Sequence, residues 1–503
     1  MMFKRTIVAF TLICFVAYLQ GCYSPRQISR EQLEQHPDCS IAKVVTVDGE
    51  IFEFTTSPGL RAHIRENMIE GRLKDGTLTR IPLSQVKMVY IKRFDAVRSC
   101  ILGISVLVLL FVGGLSYALT EKGLCPFVYS YNADEFIFDG EPYGGAICEG
   151  LQRTDLCRLE HLNAVDGEYR LLLTNEVNQT QYTDEFKLLV VDHPQEVDVI
   201  QDADGNIYTV AALQKPLLAV DHRNEDLQQW LSEKDLLFWE SDVLSKDPAN
   251  PADLRDTLFL TFPKPANADK AKLVVHGCTT LWGSQMLRRM TEIRGDQLEN
   301  WYAGLNNAAQ KEMLNAWNKR EQIYKLQVYI WAANTWAHRG EIMGGGPFIA
   351  EERVVPLDLA DIEGDTLKIR VSPPTGFWQL NSFAVDYSQD VPFEFHDISA
   401  SSATGHDGVD LRSVLESTDA NYYVMPEVGQ RAYLTFPVPP PKLNSERTVF
   451  AKVSGYYDMH LNASGKPKSE IVHRILSEPG YVTKFALQEY FKWRSDQLEK
   501  AEK

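Results

Sequence analysis

Residues 256–263 read Asp-Thr-Leu-Phe-Leu-Thr-Phe-Pro, and residues 430–437 read Gln-Arg-Ala-Tyr-Leu-Thr-Phe-Pro. Each stretch alternates apolar and polar positions, which predicts a β-strand with one buried face. A second apolar stretch follows each of them, at 271–276 and at 448–453. We therefore expect two copies of one strand pair, with Phe262 and Phe436 at equivalent inward positions.

A second pair of related segments precedes the first pair, in the same order. Residues 167–193 and residues 364–387 each begin with a glycine-led strand, continue through a polar loop and end in another strand. Because the order of the segments is the same in both halves of the chain, the sequence predicts two antiparallel β-sandwich-like modules, at 123–282 and 346–462. Chance similarity is the alternative, because alternating apolar positions match one another easily.

Helical patterns are expected in two further places. Apolar residues recur at helical spacing within 283–345, which predicts a helical insertion between the modules, and again within the C-terminal tail, 463–503. The chain is thus expected to be mainly β with helical insertions.

A small separate domain is predicted at residues 41–95. Two Asp-Gly turns, at 48–49 and at 75–76, separate alternating apolar runs, and this arrangement is typical of hairpins. We expect a barrel-like domain of about five antiparallel strands. It carries no cluster of acids, bases or metal ligands, so its expected role is that of a spacer or docking module.

The N-terminus carries a targeting sequence. A basic n-region at 1–5 and an apolar h-region at 6–19 lead to Leu19-Gln-Gly-Cys22. This pattern predicts a signal peptide at 1–21, and a linker would follow at 22–40. The four residues look like the lipobox of bacterial lipoproteins, in which the cysteine receives a diacylglycerol and further acyl chains such as palmitate. The alternative is a signal anchor with a chance cysteine.

A second hydrophobic segment, 100–119, carries no charge and has about the length of a transmembrane helix. Lys92, Arg93 and Arg98 would place its N-terminal side in the cytoplasm, whereas lipidation of Cys22 would place it outside. Three solutions are open: residues 101–119 lie in or along the bilayer as a second anchor, Cys22 is unmodified, or the segment crosses against its charges. We favour the first.

Composition excludes some partners. The net charge of −17 argues against nucleic acid binding. Of the eight cysteines, Cys148 and Cys157 are close enough in sequence for a disulfide in an oxidising compartment, and free buried thiols are the alternative. The sequence contains no CxxC pair of the kind that indicates a zinc site. We expect no metal and no cofactor.

Motifs of catalysis are absent from the sequence, which has no GxSxG, HExxH or phosphate-loop pattern. The residues that could form a catalytic group by convergence are His161, Asp192, His193 and His276. The stretch 202–206 resembles part of a calcium loop, but a hairpin turn is the better interpretation. No catalytic residue is assigned.

One resemblance is specific. The sequence CPFVYSY…FIFDGEPYGGAI…NEVNQTQYTDEFKLLVVDH, within 125–193, resembles an uncharacterised family of predicted bacterial lipoproteins. The shared order is lipobox, small β domain, apolar segment and CPFVYS-type start. The resemblance implies architecture and an envelope location, and it transfers no site residue.

The sequence therefore predicts a membrane-anchored protein of the bacterial cell envelope, in the inner or the outer membrane. Its partners would be the lipid bilayer, through Cys22 and residues 101–119, and an envelope protein or a glycan. Non-enzymatic binding or scaffolding is the favoured function, and the alternatives are an envelope hydrolase of glycan or peptide and a pair of carbohydrate-binding modules. The last alternative requires exposed aromatics at matching places in both repeats, with these candidates: Trp282, Trp331, Trp378, Tyr456 and Tyr457.

Overall fold

The structure is a computed structural model that describes residues 23–28, 41–55, 62–65, 67–94, 126–305, 307–461 and 463–502. These residues are mainly β. The chain divides into two compact units, Met1–Ala118 and Leu119–Lys503. The predicted signal peptide, Cys22 and the segment 100–119 lie outside the described residues. Across those described ranges, no helix has both the length and the apolar character that crossing a membrane requires.

The first unit contains seven described strands and one 3-10 turn. They are β1 (Tyr23–Ile28), β2 (Ile41–Thr46), β3 (Ile51–Glu53), β4 (His63–Arg65), β5 (Met68–Arg72), β6 (Leu78–Pro82), a turn at Leu83–Gln85, and β7 (Val86–Phe94). They form a four-stranded sheet in the order β1-β7-β2-β3 and a three-stranded sheet in the order β4-β5-β6. Their shared core includes Ile41, Phe54, Ile69 and Val89.

Two expectations for this unit need correction. The strands make two sheets and not a barrel-like one. The region predicted as a linker, 22–40, contains β1, which pairs with β7 along its whole length. The sequence of β1, YSPRQI, has no apolar alternation, so the pairing could not be read from its pattern.

The second unit is built from four chain segments, which we call A to D. Segment A (127–194) contains β8 (Phe127–Tyr131), β9 (Phe136–Gly140), β10 (Arg153–Arg158), β11 (Glu168–Thr174) and β12 (Gln179–Pro194). Segment B (214–279) contains β15 (Leu218–Asp221), β16 (Trp239–Glu240), β17 (Leu258–Pro263) and β18 (Lys270–Thr279). A short hairpin separates A from B, formed by β13 (Asp198–Gln201) and β14 (Ile207–Val210).

Segments C and D complete the unit. Segment C (326–386) contains β19 (Leu326–Ala332), β20 (Thr335–Ile342), β21 (Glu351–Asp358), β22 (Thr366–Ser372) and β23 (Trp378–Asp386). Segment D (394–459) contains β24 (Glu394–Ile398), β25 (Ser402–Gly405), β26 (Tyr423–Met425), β27 (Arg431–Pro437) and β28 (Ser445–Met459).

The helices lie mainly between B and C and at the C-terminus. They are α1 (Gln228–Leu231), α2 (Leu281–Glu292), α3 (Leu298–Gly304), α4 (Ala308–Glu321), α5 (Ser469–Ser477) and α6 (Tyr481–Glu502). Short 3-10 turns occur at Glu149–Leu151, Val243–Ser245, Pro251–Asp253 and Gly295–Gln297. Trp282 and Met286 of α2 and Phe485 of α6 join one core with the strands of B and C. The predicted helical insertion and tail thus correspond to real helices, although 283–345 also includes β19 and β20.

Two sandwiches arise because the segments pair across the chain. Sandwich 1 combines A with D, in sheets ordered β25-β27-β11-β8-β9 and β10-β28-β12-β24, with β26 also on β12. Sandwich 2 combines B with C, in sheets ordered β15-β17-β22-β19-β20 and β16-β23-β18-β21. The predicted boundaries of the modules, 123–282 and 346–462, therefore do not coincide with the sandwiches, since each predicted module contributes strands to both.

The two sandwiches match strand for strand. The first sheets align as β25 with β15, β27 with β17, β11 with β22, β8 with β19 and β9 with β20. Thus C repeats A, and D repeats B. Phe262 pairs with Leu367 and Phe436 pairs with Tyr169, and both phenylalanines are fully buried, as their predicted equivalence requires. The chain is therefore a tandem repeat, with A-B as the first half and C-D as the second. The halves have exchanged partners, because A pairs with D and B pairs with C, whereas two independent copies would pair A with B and C with D.

The irregularities repeat as well. A bulge interrupts β18 against β23 beside Gly277, and a bulge interrupts β12 against β28 beside Gly455. Isolated bridges recur at the same places, since Ser232 pairs with Ser382 in sandwich 2 as Glu416 pairs with Glu185 in sandwich 1. Shared bulges and bridges indicate that the likeness extends beyond general sandwich geometry.

Candidate functional site

The outward side of the first sheet of sandwich 1 carries a row of aromatic residues, which we call face 1. Inward positions on these strands, such as Val128 and Leu434, are buried, so the alternating positions point outward. The rings pack against one another: the ring centroid of Phe136 lies 5.2 Å from that of Tyr131 and 6.3 Å from that of Tyr433. Face 1 consists of Tyr129, Tyr131, Phe136, Phe138 and Tyr433.

The corresponding side of sandwich 2 carries face 2. Trp331 lies 5.2 Å from Trp336, which lies 5.6 Å from Phe259. The guanidinium of Arg370 lies over the ring of Tyr329 at 4.1 Å and over Trp336 at 5.3 Å, in the range of cation–π contacts. Face 2 consists of Phe259, Tyr329, Trp331, Trp336 and His338.

The two faces are equivalent by strand register. Tyr131 pairs with Phe136 across β8 and β9, and Trp331 pairs with Trp336 across β19 and β20. Each hairpin has a bulge at its Val-Tyr pair, at 128–129 and at 328–329. Tyr129 lies opposite Leu172 as Tyr329 lies opposite Arg370. Faces 1 and 2 are therefore two copies of one surface.

Exposure separates these residues from the other aromatic candidates. Trp331 is 37% exposed and Tyr433 is 48% exposed, whereas Trp282, Trp378, Tyr456 and Tyr457 are buried. Ring faces that are open to solvent can stack on the C–H-rich face of a sugar ring, because the ring face carries partial negative charge. Of the proposed aromatic candidates, only Trp331 belongs to such a surface, and four of them are core residues.

The sequence-predicted catalytic histidines have three different hydrogen-bond partners. His161 Nδ1 contacts Asp139 Oδ1 at 2.7 Å. His193 Nε2 contacts Thr448 Oγ1 at 3.0 Å, and His276 Nδ1 contacts Asn381 Oδ1 at 2.9 Å. Each histidine has its own local partner, so the structure does not bring the four residues together.

Asp192 has a structural partner. Arg447 donates to it from two nitrogens, Nε to Oδ1 at 2.6 Å and Nη2 to Oδ2 at 2.8 Å. These hydrogen bonds hold the pKa of Asp192 below its usual range. Burial lowers the pKa of His276, so the neutral imidazole is favoured there. The hydrogen bonds of Asp192 and His276 are therefore accounted for by the packing of the sandwiches.

A polar cleft lies between the two sandwiches. One part of it, of about 160 Å³, is lined by Glu141, Asp155, Glu351 and Arg353. Burial raises the pKa of Glu351, although Arg353 forms an ion pair with it. Sequence reasoning missed this cleft, because its carboxylates come from segments A and C, far apart in the chain.

An adjacent part of the cleft, of about 280 Å³, contains His161, Asp139 and Arg158. His161 thus shares a cavity with several carboxylates. Within the described part of the chain, no three His, Cys, Asp or Glu side chains are placed to hold a metal ion.

Of the two alternatives left open for Cys148 and Cys157, the structure does not contain the disulfide. Both thiols are buried and no disulfide links them. Cys157 lies opposite Ala451 of β28. The amide of Tyr457, six residues further along β28, donates to the carbonyl oxygen of Ala146, two residues before Cys148. Six residues of strand span about 20 Å, well beyond the reach of a disulfide.

The calcium-like stretch is a hairpin turn, as expected. Asp202 Oδ1 accepts hydrogen bonds from the amides of Asp204 and Asn206 at 2.9 Å each. The turn joins β13 to β14. Its carboxylate therefore stabilises the backbone.

No protein-family model and no curated protein matches the chain. One similar solved structure is a β-porphyranase of glycoside hydrolase family 86 from Bacteroides plebeius, with 7% identity, a TM-score of 0.16, and coverage of 48% of this chain and 37% of that one. Another is a GH31 α-xylosidase from Xanthomonas citri, with 7% identity, a TM-score of 0.15, and coverage of 82% and 34%. This chain spans about a third of the length of each.

Proposed function

We propose that this protein is a membrane-anchored component of the bacterial cell envelope that binds glycan, without catalysis, through faces 1 and 2. The observation that carries the proposal is the presence of outward aromatic residues at register-equivalent positions in both sandwiches. Folding alone does not require outward aromatic side chains at the same places in two copies. A shared ligand accounts for both faces.

Two copies of one weak site suit a long repetitive polymer. A second site on the same chain raises the local concentration of ligand after the first has bound, so that weak contacts give firm attachment. Glycans of the envelope are polymers of this kind. The predicted anchor would attach the protein to the membrane.

Binding can be tested with a panel of soluble polysaccharides and purified peptidoglycan sacculi, by co-sedimentation and affinity electrophoresis of the full-length protein. We expect Trp331→Ala and Tyr433→Ala each to weaken binding about tenfold, because each removes a central exposed ring. Phe395→Ala is the matched control, since Phe395 is an aromatic that is 63% exposed and lies outside both faces. Binding that is equal in all variants would contradict the proposal.

The anchor is proposed to be a diacylglyceryl group on Cys22, with residues 101–119 as a second attachment. One acyl signal alone binds a membrane reversibly, and two signals together bind firmly. The variant Cys22→Ser should remain an unprocessed precursor and take up no labelled palmitate. Wild-type protein that takes up no label would remove the lipoprotein proposal, and cell fractionation would identify the membrane.

A second candidate function is hydrolysis of a glycan in the polar cleft. It is favoured by Glu351, because a partly buried carboxyl whose pKa is raised can donate a proton, although Arg353 forms an ion pair with it. The full-length protein should then release reducing ends from a bound polysaccharide, and Glu351→Gln should abolish the release. Binding without any release in the wild type would leave the non-enzymatic proposal in place.

A further inference from the structure

A second type of cavity lies where the helices meet the sandwiches. It encloses about 110 Å³, several times the space that one water molecule needs. Helices α2 to α5 form most of its wall, and the loop at Gly144 and Gly145 of segment A closes one side. Its apolar lining includes Leu287 and Met290 of α2, Leu314 and Trp317 of α4, and Val472 and Ile475 of α5.

The charges of this lining have one sign. Arg153, Arg294 and Lys325 line the cavity, and no aspartate or glutamate does, although the whole chain carries a net charge of −17. Arg153 is paired with Asp155 at 2.9 Å, and Lys325 is paired with Glu341. Two of the three cations are therefore neutralised by neighbours outside the lining.

Arg294 is different, because its guanidinium has no hydrogen-bond acceptor and no ion-pair partner among the described residues. Its Nε is sealed from solvent without an acceptor, and its charged end lies over the ring of Trp301 at 3.9 Å. Burial lowers the pKa of this group to about 10. A partly buried cation without an anion is costly, so the position is prepared for an anionic ligand.

We propose that this cavity binds an amphiphilic carboxylate, with the carboxylate on Arg294 and a short alkyl chain among the apolar side chains of α2, α4 and α5. Charge complementarity selects an anion, because the cavity offers an unpaired guanidinium and no carboxylate. The apolar wall selects an attached hydrocarbon, since a small hydrophilic anion would leave that wall uncovered. The volume selects a chain of moderate length.

The test is calorimetric titration of the full-length protein in lipid nanodiscs, with empty nanodiscs subtracted. Sodium octanoate is the probe, octanamide is its uncharged counterpart, and sodium acetate is the anion without a chain. Octanoate should bind at one site, at least about tenfold more tightly than either of the others, because a charge-assisted pair with arginine is lost in octanamide.

Two variants locate the site. Arg294→Gln should weaken octanoate binding about tenfold, whereas Arg289→Gln should leave it unchanged, since Arg289 lies on α2 outside the cavity and contacts Glu292. Leu314→Trp fills the cavity and leaves Arg294 in place, so it should also weaken binding, and it decides the matter if the arginine variant fails to fold. Equal binding of octanamide, equal binding of acetate, or unchanged binding in Leu314→Trp would overturn the proposal.

Discussion

At the scale of single residues, two glycines mark the shared bulge of the sandwiches. A Cβ atom on Gly455 would lie 2.3 Å from the carbonyl oxygen of Tyr182, and a Cβ atom on Gly277 would lie 2.7 Å from that of Gln379. Tyr182 and Gln379 occupy equivalent positions on β12 and β23. Both repeats therefore need a residue without a side chain at this point.

The glycines give a direct prediction about stability. Gly455→Ala and Gly277→Ala should each lower the free energy of unfolding by about 1–3 kcal/mol, because backbone atoms must move to accept the methyl group. The control is Gly283→Ala in α2, where the nearest contact would be 3.6 Å and alanine favours the helix. Denaturant melts of the three variants provide the comparison, and no loss at both bulges would refute the close approach.

The ion pair of Asp192 and Arg447 gives a prediction about pH. The pKa of Asp192 is lowered in the folded state, so its contribution to stability is present above the unfolded pKa of about 3.9 and is lost as the pH falls through the folded pKa. Asp192→Asn should lower the Tm by several degrees at pH 7 and by much less near pH 2. A difference that stays constant between these pH values would contradict the assignment.

At the scale of elements, the strands and turns were largely readable from the sequence. The Leu-Thr-Phe-Pro strands, the strands that follow them in the chain and the helices all lie close to the expected places, because alternation and helical spacing report burial of one face. The aromatic faces were missed, although a trace of them is visible. Val-Tyr recurs at 128–129 and at 328–329, and an aromatic recurs at 136 and at 336. Only the strand register shows that these rings point outward together.

The partners of the segments were not readable from the sequence. Segments B and D carry the same Leu-Thr-Phe-Pro strand, so segment A could pair with either by pattern alone. In the structure Asp192 of A and Arg447 of D are directly opposite across β12 and β28. Contacts between residues so far apart in sequence leave no local signature.

The exchange of partners can be tested by cross-linking. Arg170 of β11 lies opposite Thr435 of β27, and Thr261 of β17 lies opposite Lys368. The double variant Arg170→Cys with Thr435→Cys should form a disulfide on oxidation, since directly opposite residues are about 5 Å apart. Arg170→Cys with Thr261→Cys is the matched control, and it would cross-link only if A paired with B. Peptide mapping identifies the products.

At the scale of the whole molecule, the exchange ties the two sandwiches into one compact unit. Sandwich 1 takes its strands from both ends of this unit, and sandwich 2 lies between them in the chain. The helices α5 and α6 follow sandwich 1 in sequence, yet Ile475 and Phe485 pack into the core of sandwich 2. Sandwich 1 is thus completed by segments on either side of sandwich 2, and sandwich 2 is completed by helices that follow sandwich 1. The two aromatic faces therefore belong to one compact unit.

The central claim is that faces 1 and 2 are two equivalent glycan sites on one chain. The measurement that tests it most directly is the stoichiometry of oligosaccharide binding to the full-length protein, by calorimetric titration with a short fragment of the polysaccharide that binds best. We predict two sites in the wild type, one in Trp331→Ala, one in Tyr433→Ala and none in the double variant. A single site in the wild type, or two sites retained in the double variant, would contradict the account.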